Sequence, residues 1–349
     1  MCGQLGQYEN AANLTRQALH LAPNLLGMYE NLAGYTLALQ RFDETRQTVQ
    51  DVQARKLDDY ILHNALYALA FLRADSAGMT RQRQWYNENR EFETFGLALA
   101  SDTEAYGGHL NKARELTERA VDSAIRADNK ESGAIWQANA ALQQGGYGNA
   151  IEARKSAAKA LKLSPESQGV EVEAALAFAI TGDRARAEFL ARDLGKRFPL
   201  DTQMQSLWLP AIQAQLALNR KNPSAALATL QTASPIELGQ ITFVNNISCL
   251  YHVYLRGEAY LAIGQADAAD AEFQKILDHS GIVWNCWTGA LAHLGVARAN
   301  ALQTKNLSGA DADAARVRAL AAYKDFFTLW KDADSDILKE AKAEYAKLQ

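Results

Sequence analysis

Three aspartates at alternate positions near the carboxy terminus, Asp332, Asp334 and Asp336, come nearest to a metal motif in this 349-residue chain. Alternating carboxylates open the loop that wraps a calcium ion, but such a loop also needs glycine at its sixth position and a bidentate glutamate at its twelfth. Those positions are Ile337 and Ala343, so no metal is expected. The acids are expected to precede or open a last helix, where negative charge complements the helix dipole. The histidines, His20, His63, His109, His252, His279 and His293, include no HExxH and no pair four residues apart. Without a positioned partner, none of them is expected to act as a general base. The glycines of GGYGNA, Gly145 to Ala150, would cradle a phosphate only after a strand and ahead of a Gly-Lys-Ser/Thr triplet, and both are missing. They read as an inter-helix turn.

Cys249 and Cys286 lie near Tyr251, Tyr254, Trp284 and Trp287, yet the sequence ties no histidine and asparagine or aspartate to either thiol. Packed thiols are expected rather than a nucleophile. With Cys2 the cysteines number three, far apart and without a CxxC pair, so neither a disulfide framework nor a zinc site is supported. A reducing compartment is the simpler reading. A formal charge of -4 gathers no basic face for nucleic acid. No apolar run approaches the ~20 residues that cross a bilayer. The start, MCGQLGQYEN, lacks the basic and apolar regions of a signal peptide. The expectation is a segment without catalytic residues, cofactor, metal, nucleic acid or membrane span, cytoplasmic by default.

The elements that position any recognition residues are helical. Six prolines and long tracts of Ala, Leu, Gln, Glu, Lys and Arg favour helix over strand. The clearest unit is Leu250 to His279, two helices in which Gly257, Tyr260, Gly264, Ala269, Phe273 and Ile276 follow at steps of 3, 4, 5, 4 and 3. Small residues sit where two helix backbones approach closely, and larger ones fill the space between neighbouring pairs. This pattern resembles the tetratricopeptide repeat. The resemblance implies an all-α fold: a solenoid of antiparallel helix pairs wound into a right-handed superhelix of about nine units, each stable only through its neighbours.

The inter-helix turn falls at Gly6, Gln40, Ala74 and Gly108, 34 residues apart each time, and then at wider steps at Gly145, Gly182, Lys221 and Gly264. Helices are predicted over 24–40 and 42–54, 59–73 and 76–88, and 90–105 and 109–126. Residues 1–23 read as the second half of a truncated first repeat, and 24–233 as regular to slightly lengthened units. Residues 234–246 read as an irregular connection, 247–333 as lengthened units with an insertion at TKNLSGADADA, and 334–349 as a capping helix with one apolar stripe. The first helix lacks a partner of its own repeat. Its uncovered apolar face is expected to permit self-association, and it points to a longer protein upstream.

The closing segment AAYKDFFTLWKDADSDILKEAKAEYAKLQ resembles the end of the tetratricopeptide region of acidobacterial serine/threonine protein kinases, as do ARELTERAVDSAIRADNKE, RDLGKRFPLDT and AEFQKILDHSGIV. The resemblance implies a regulatory or sensory region, in some relatives beyond a membrane span, so an extracytoplasmic place is the alternative to the cytoplasm. The chain has no Gly-rich phosphate loop, catalytic loop or DFG, so kinase activity would belong to a separate domain. The leading expectation is a non-enzymatic module that holds a protein or peptide in its concave groove. In this fold the first helix of each pair lines that groove, which puts Asn31, Trp136, Asn139, Gln143, Tyr251, Tyr254 and Glu258 forward as binding residues. The alternatives are a small-ligand sensor or enzyme with a site in the irregular carboxy-terminal half, near residues 233–254 and Trp284 and Trp287, and a self-associating scaffold.

Overall fold

The repeat is written in its turns. In the computed structural model, which describes residues 2–349, the backbone is left-handed at Gly6, Gln40, Ala74, Gly108, Gly148, Gly182, Lys221 and Gly264. The residue after each turn donates its amide to the carbonyl five positions back, as in Arg41 to Thr36 (2.9 Å), Asp75 to Ala70 (2.8 Å) and Asp183 to Phe178 (2.8 Å). That bond belongs to the Schellman motif, which ends one helix and directs the chain into the next. Asp75, Asp183 and Asn222 then cap the helices that follow, accepting from Gly78 N, Arg186 N and Ala225 N. The turn expected at Gly145 lies instead at Gly148. Gly145 and Gly146 stay helical as contact points: a Cβ on Gly146 would stand 2.5 Å from the Trp287 ring, and one on Gly145 would stand 3.1 Å from Ile180.

Helix α1 (Tyr8–Leu21) follows a short 3-10 turn, Gly3–Leu5. Pairs then run α2/α3 (Leu26–Ala38, Phe42–Ala54), α4/α5 (Tyr60–Leu72, Ser76–Glu88), α6/α7 (Glu93–Tyr106, Leu110–Arg126) and α8/α9 (Lys130–Gly146, Ala150–Leu163). They continue as α10/α11 (Gln168–Ile180, Arg184–Arg197), α12/α13 (Leu209–Asn219, Pro223–Leu230) and α14/α15 (Tyr251–Ala262, Ala266–Asp278). The single turn α16 (Ser280–Val283), the pair α17/α18 (Trp287–Asn306, Gly309–Leu329) and α19 (Asp336–Ala346) complete an all-α solenoid of helix pairs, with no strand among the described residues. The residues of TKNLSGADADA lie at the ends of two long helices, of 20 and 21 residues, that meet across Leu307 and Ser308. The small and aromatic positions pack as their types require. Phe273 fills the gap between two glycines, Gly257 and Gly295, where a Cβ would come within 2.8 and 2.5 Å of its ring.

The second half does not simply extend the first. After a 3-10 helix, Gln231–Ile236, the chain runs without α-helix until Tyr251. This inner loop turns back through Ile241 N to Ile247 O (2.9 Å) and inserts against the first helices of the amino-terminal pairs. Asn64 of α4 donates to Asn245 O (2.8 Å), Asn139 of α8 donates to Phe243 O (3.1 Å), and Asn245 donates to Asp102 of α6 (3.0 Å). On α10, a Cβ at Gly169 would stand 2.4 Å from the Phe243 ring. Helix α16 reaches α2 in the same way, with Gly281 so close that a Cβ would meet Leu37 O at 2.0 Å.

Both chain ends close on distant elements. Tyr8 donates to Leu238 O (2.5 Å), and Gln240 N donates to Gly3 O (3.0 Å). The bare face expected on α1 is therefore partly covered by the root of the inner loop, while Leu14 and Leu21 stay exposed. At the other end, Ser335 caps α19 by accepting from Ile337 N, and Asp336 opens that helix. Asp334 serves a different helix: its carboxylate accepts from Leu110 N (2.7 Å) and Asn111 N (3.0 Å) at the start of α7. Trp330, fully buried, donates to Tyr106 O (2.9 Å) beside it.

Candidate functional site: the cleft beside the inner loop

The helix register explains which side chains meet the inner loop. Asn31, Asn139 and Glu173 each stand nine residues before a left-handed turn residue, Gln40, Gly148 and Gly182, and so occupy equivalent positions on α2, α8 and α10. Asn64 stands ten before Ala74, close to the same line. Asn139 and Asn64 use their amides to hold main-chain carbonyls of the inner loop. Asn31 lies one pair earlier, beyond the reach of the loop, and remains exposed. There the inner side of the solenoid opens as a cleft of about 300 Å3 between α2, α4 and the loop.

The cleft has aromatic walls, amide groups and one acid. Tyr35, Tyr60, Phe95, Trp136 and Trp284 supply rings, and Asn31, Asn64, Asn245 and Gln240 supply amides. Glu30 is the charged residue among those lining it, and no lysine or arginine is present there. Burial and the nearby Asp59 raise the pKa of the Glu30 carboxyl. Burial, then Asp59 and Glu30, raise the Tyr60 phenol likewise. Two polar atoms of the lining have no partner, Asn64 Oδ1 and Trp284 Nε1. Trp284 also sits at φ 23°, a sparsely populated backbone region that costs on the order of 1–3 kcal/mol. The neighbouring chain holds it there. Ile247 N and Ser248 N both donate to Ile282 O (3.1 and 3.2 Å), and Cys286 is bonded to Cys249.

That bond corrects the expectation of two packed thiols. Cys249 and Cys286 form a buried disulfide across 37 residues, leaving Cys2 free. Their side chains are brought together because the inner loop and α16 lie side by side, a neighbourhood that sequence spacing does not reveal.

The seven residues expected to line a groove separate into three places. Asn31 and Trp136 line the cleft, Trp136 with its Nε1 donating to Thr94 (2.9 Å). Asn139, Gln143 and Tyr251 lie under the inner loop: Gln143 donates to Asp102 (2.6 Å), and Tyr251 stacks with Trp287 at 5.9 Å. Tyr254 and Glu258 point elsewhere, into a cluster with Arg298 in the carboxy-terminal stack. Glu30, Asn64, Tyr60, Asn245 and Trp284 of the cleft were not among the seven. Asn64 had a signal, since it follows Asn31 by 33 residues in a chain with a 34-residue period. None of the histidines lines the cleft. His63 is held between Gln82 (2.7 Å) and Asp58 (3.0 Å), and His252 is held against Glu237 O (2.8 Å).

No protein-family model matches the chain, and no curated protein matches it. Among solved structures, yeast Tom70 aligns at 12% identity over 99% of this chain and 86% of its own, with a TM-score of 0.46. The TPR domain of P58(IPK) aligns at 12% identity over 99% and 95%, with a TM-score of 0.27. Naa15/Naa10 bound to HypK-THB aligns at 15% identity over 98% and 48%, with a TM-score of 0.25. At these scores the description of the fold rests on the helix pairs of the chain itself.

Proposed function

We propose that this chain is a non-enzymatic protein-interaction module, the regulatory or sensory end of a bacterial signalling protein, whose recognition site is the cleft between α2, α4 and the inner loop. The observation that carries this reading is the placement of the inner loop. It fills the middle of the solenoid's inner side, through Asn64, Asn139 and Asp102, and leaves the α2–α4 end open and lined by rings and amides. Aromatic and amide groups at a concave surface suit recognition of a protein segment. The small-ligand reading draws support from the size of the same cleft, about 300 Å3, at the lower end of small-molecule sites. The buried Cys249–Cys286 disulfide supports an extracytoplasmic place over the cytoplasm. Among the described residues no helix is long and apolar enough to cross a membrane.

A photo-crosslinking residue at position 31 tests the site, with position 189, the exposed Phe189 of α11, as control. The expected result in a lysate of the native cell is one protein captured from position 31 and not from 189. Capture of the same proteins from both positions, or only of small molecules, counts against the reading. A dimer captured from position 31 would instead favour the scaffold reading, in which Leu14 and Leu21 of α1 meet a second copy.

A further inference from the structure

The chemistry of the cleft narrows what its occupant carries. Glu30 is half-buried, lies near Asp59 and Tyr60, and forms no ion pair among the described residues. The side chains lining the cleft bring negative charge and no positive charge, so an anionic occupant would be repelled and a cationic one attracted. Tyr60, half-buried against Phe92 and Phe95, adds an aromatic group of the kind that attracts a cation within about 6 Å of its ring. One amide is open to a main chain, that of the exposed Asn31, while Asn64 Oδ1 and Trp284 Nε1 are unpaired but closed off from solvent. Asn31 stands where Asn139, its equivalent on α8, grips a backbone carbonyl of the inner loop.

We propose that the cleft receives one lysine or arginine side chain from a segment of the partner protein, its cation against Glu30 and Tyr60 and its main chain beside Asn31. This rests on the reading of the cleft as the recognition site. It goes further in naming the partner's chemistry: a basic side chain on an extended or loop segment, presented much as the inner loop presents its own carbonyls to Asn64 and Asn139.

The test uses the full chain and four blocked tripeptides, with lysine, arginine, glutamate or norleucine between two alanines, followed by tryptophan fluorescence and calorimetry. The lysine or arginine peptide is expected to bind about ten-fold or more tightly than the other two, a difference of about 1.4 kcal/mol. Glu30→Gln is expected to remove that preference while leaving the thermal transition in place, and Glu30→Asp is expected to keep part of it. Equal binding of all four peptides, no binding of any, or a preference that survives Glu30→Gln overturns the proposal. n-Butylamine is the remaining arm. If it binds as tightly as the lysine peptide, the occupant is a free amine and the assignment to a protein segment fails. If position 31 still captures a protein while the basic peptides fail, the module's function stands and this inference alone falls.

Discussion

At the scale of single residues, the inner side of the solenoid concentrates carboxyl groups that fold at a cost. Asp102 is half-buried under the inner loop, accepting from Gln143 and Asn245, and burial outweighs those bonds to push its pKa up to about 7. Glu173 is fully buried with neither oxygen paired, and burial together with the charge of Asp102 pushes its pKa far upward. A carboxyl whose pKa is higher folded than unfolded holds a proton in the native state that the unfolded state has lost. Its contribution is most favourable below the unfolded value near 4, is lost as pH rises towards 7, and is flat above that. Replacing Asp102 by Asn, which like the protonated carboxyl keeps one accepting oxygen and presents a donor in place of the other, should therefore matter little at pH 4 and stabilise the chain at pH 8 by a few kcal/mol, at about 1.4 kcal/mol per unit of pKa. Urea denaturation of both proteins across this range measures the difference. A gap that stays constant from pH 4 to 8 would show that Asp102 ionises without penalty.

At the scale of elements, the inner loop divides what the sequence makes legible from what it does not. Helix pairs and their turns are local. Gly and Ala at fixed steps, an amide bond five residues back and an Asp or Asn cap are all spelled within one unit, so seven of the eight left-handed turns named above, those within helix pairs, were readable. The loop's lack of helix was readable too, from Pro235, Gly239, Asn245 and Asn246. Its destination was not, because that depends on partners such as Asn64, 181 residues earlier, and on Gly281 fitting against Leu37. The disulfide follows from the same long-range placement. Joining residues 37 apart should stabilise the fold by roughly 4 kcal/mol through chain entropy in the unfolded state. Non-reducing peptide mapping is expected to link Cys249 with Cys286 and leave Cys2 free. On reduction, amide exchange should rise first in the inner loop and α16, since both segments are tied to that bond, while α8 and α9 stay protected. Three free thiols in the native protein, or a rise in exchange spread evenly over all helices, would contradict this arrangement.

At the scale of the whole molecule, a solenoid is ordinarily one-dimensional, each unit touching only its neighbours. Besides the contacts of the inner loop and α16, this chain departs from that rule at two closures: the amino-terminal turn against the root of the inner loop, and the α18–α19 connection against the turn between α6 and α7. The second is the more buried. Trp330 fills the space beside Gly108, whose left-handed backbone leaves no room for a Cβ: Ala333 would be 2.5 Å away and the Trp330 ring 3.0 Å. Asp334 completes the contact by satisfying the first amides of α7, a helix start that would otherwise rely on water. Trp330→Ala should cost about 3–5 kcal/mol as a large buried ring is lost. Asp334→Ala should cost about 1 kcal/mol as a cap is lost. The informative measurement is shape. If these contacts hold the carboxy-terminal pairs against the middle of the array, solution scattering of Trp330→Ala should show a larger radius of gyration with helix content unchanged by circular dichroism. A variant that loses stability but keeps its radius would mean that stacking from α14 onward sets the course of the chain by itself, and that Trp330 and Asp334 only fasten a shape already determined by neighbouring units.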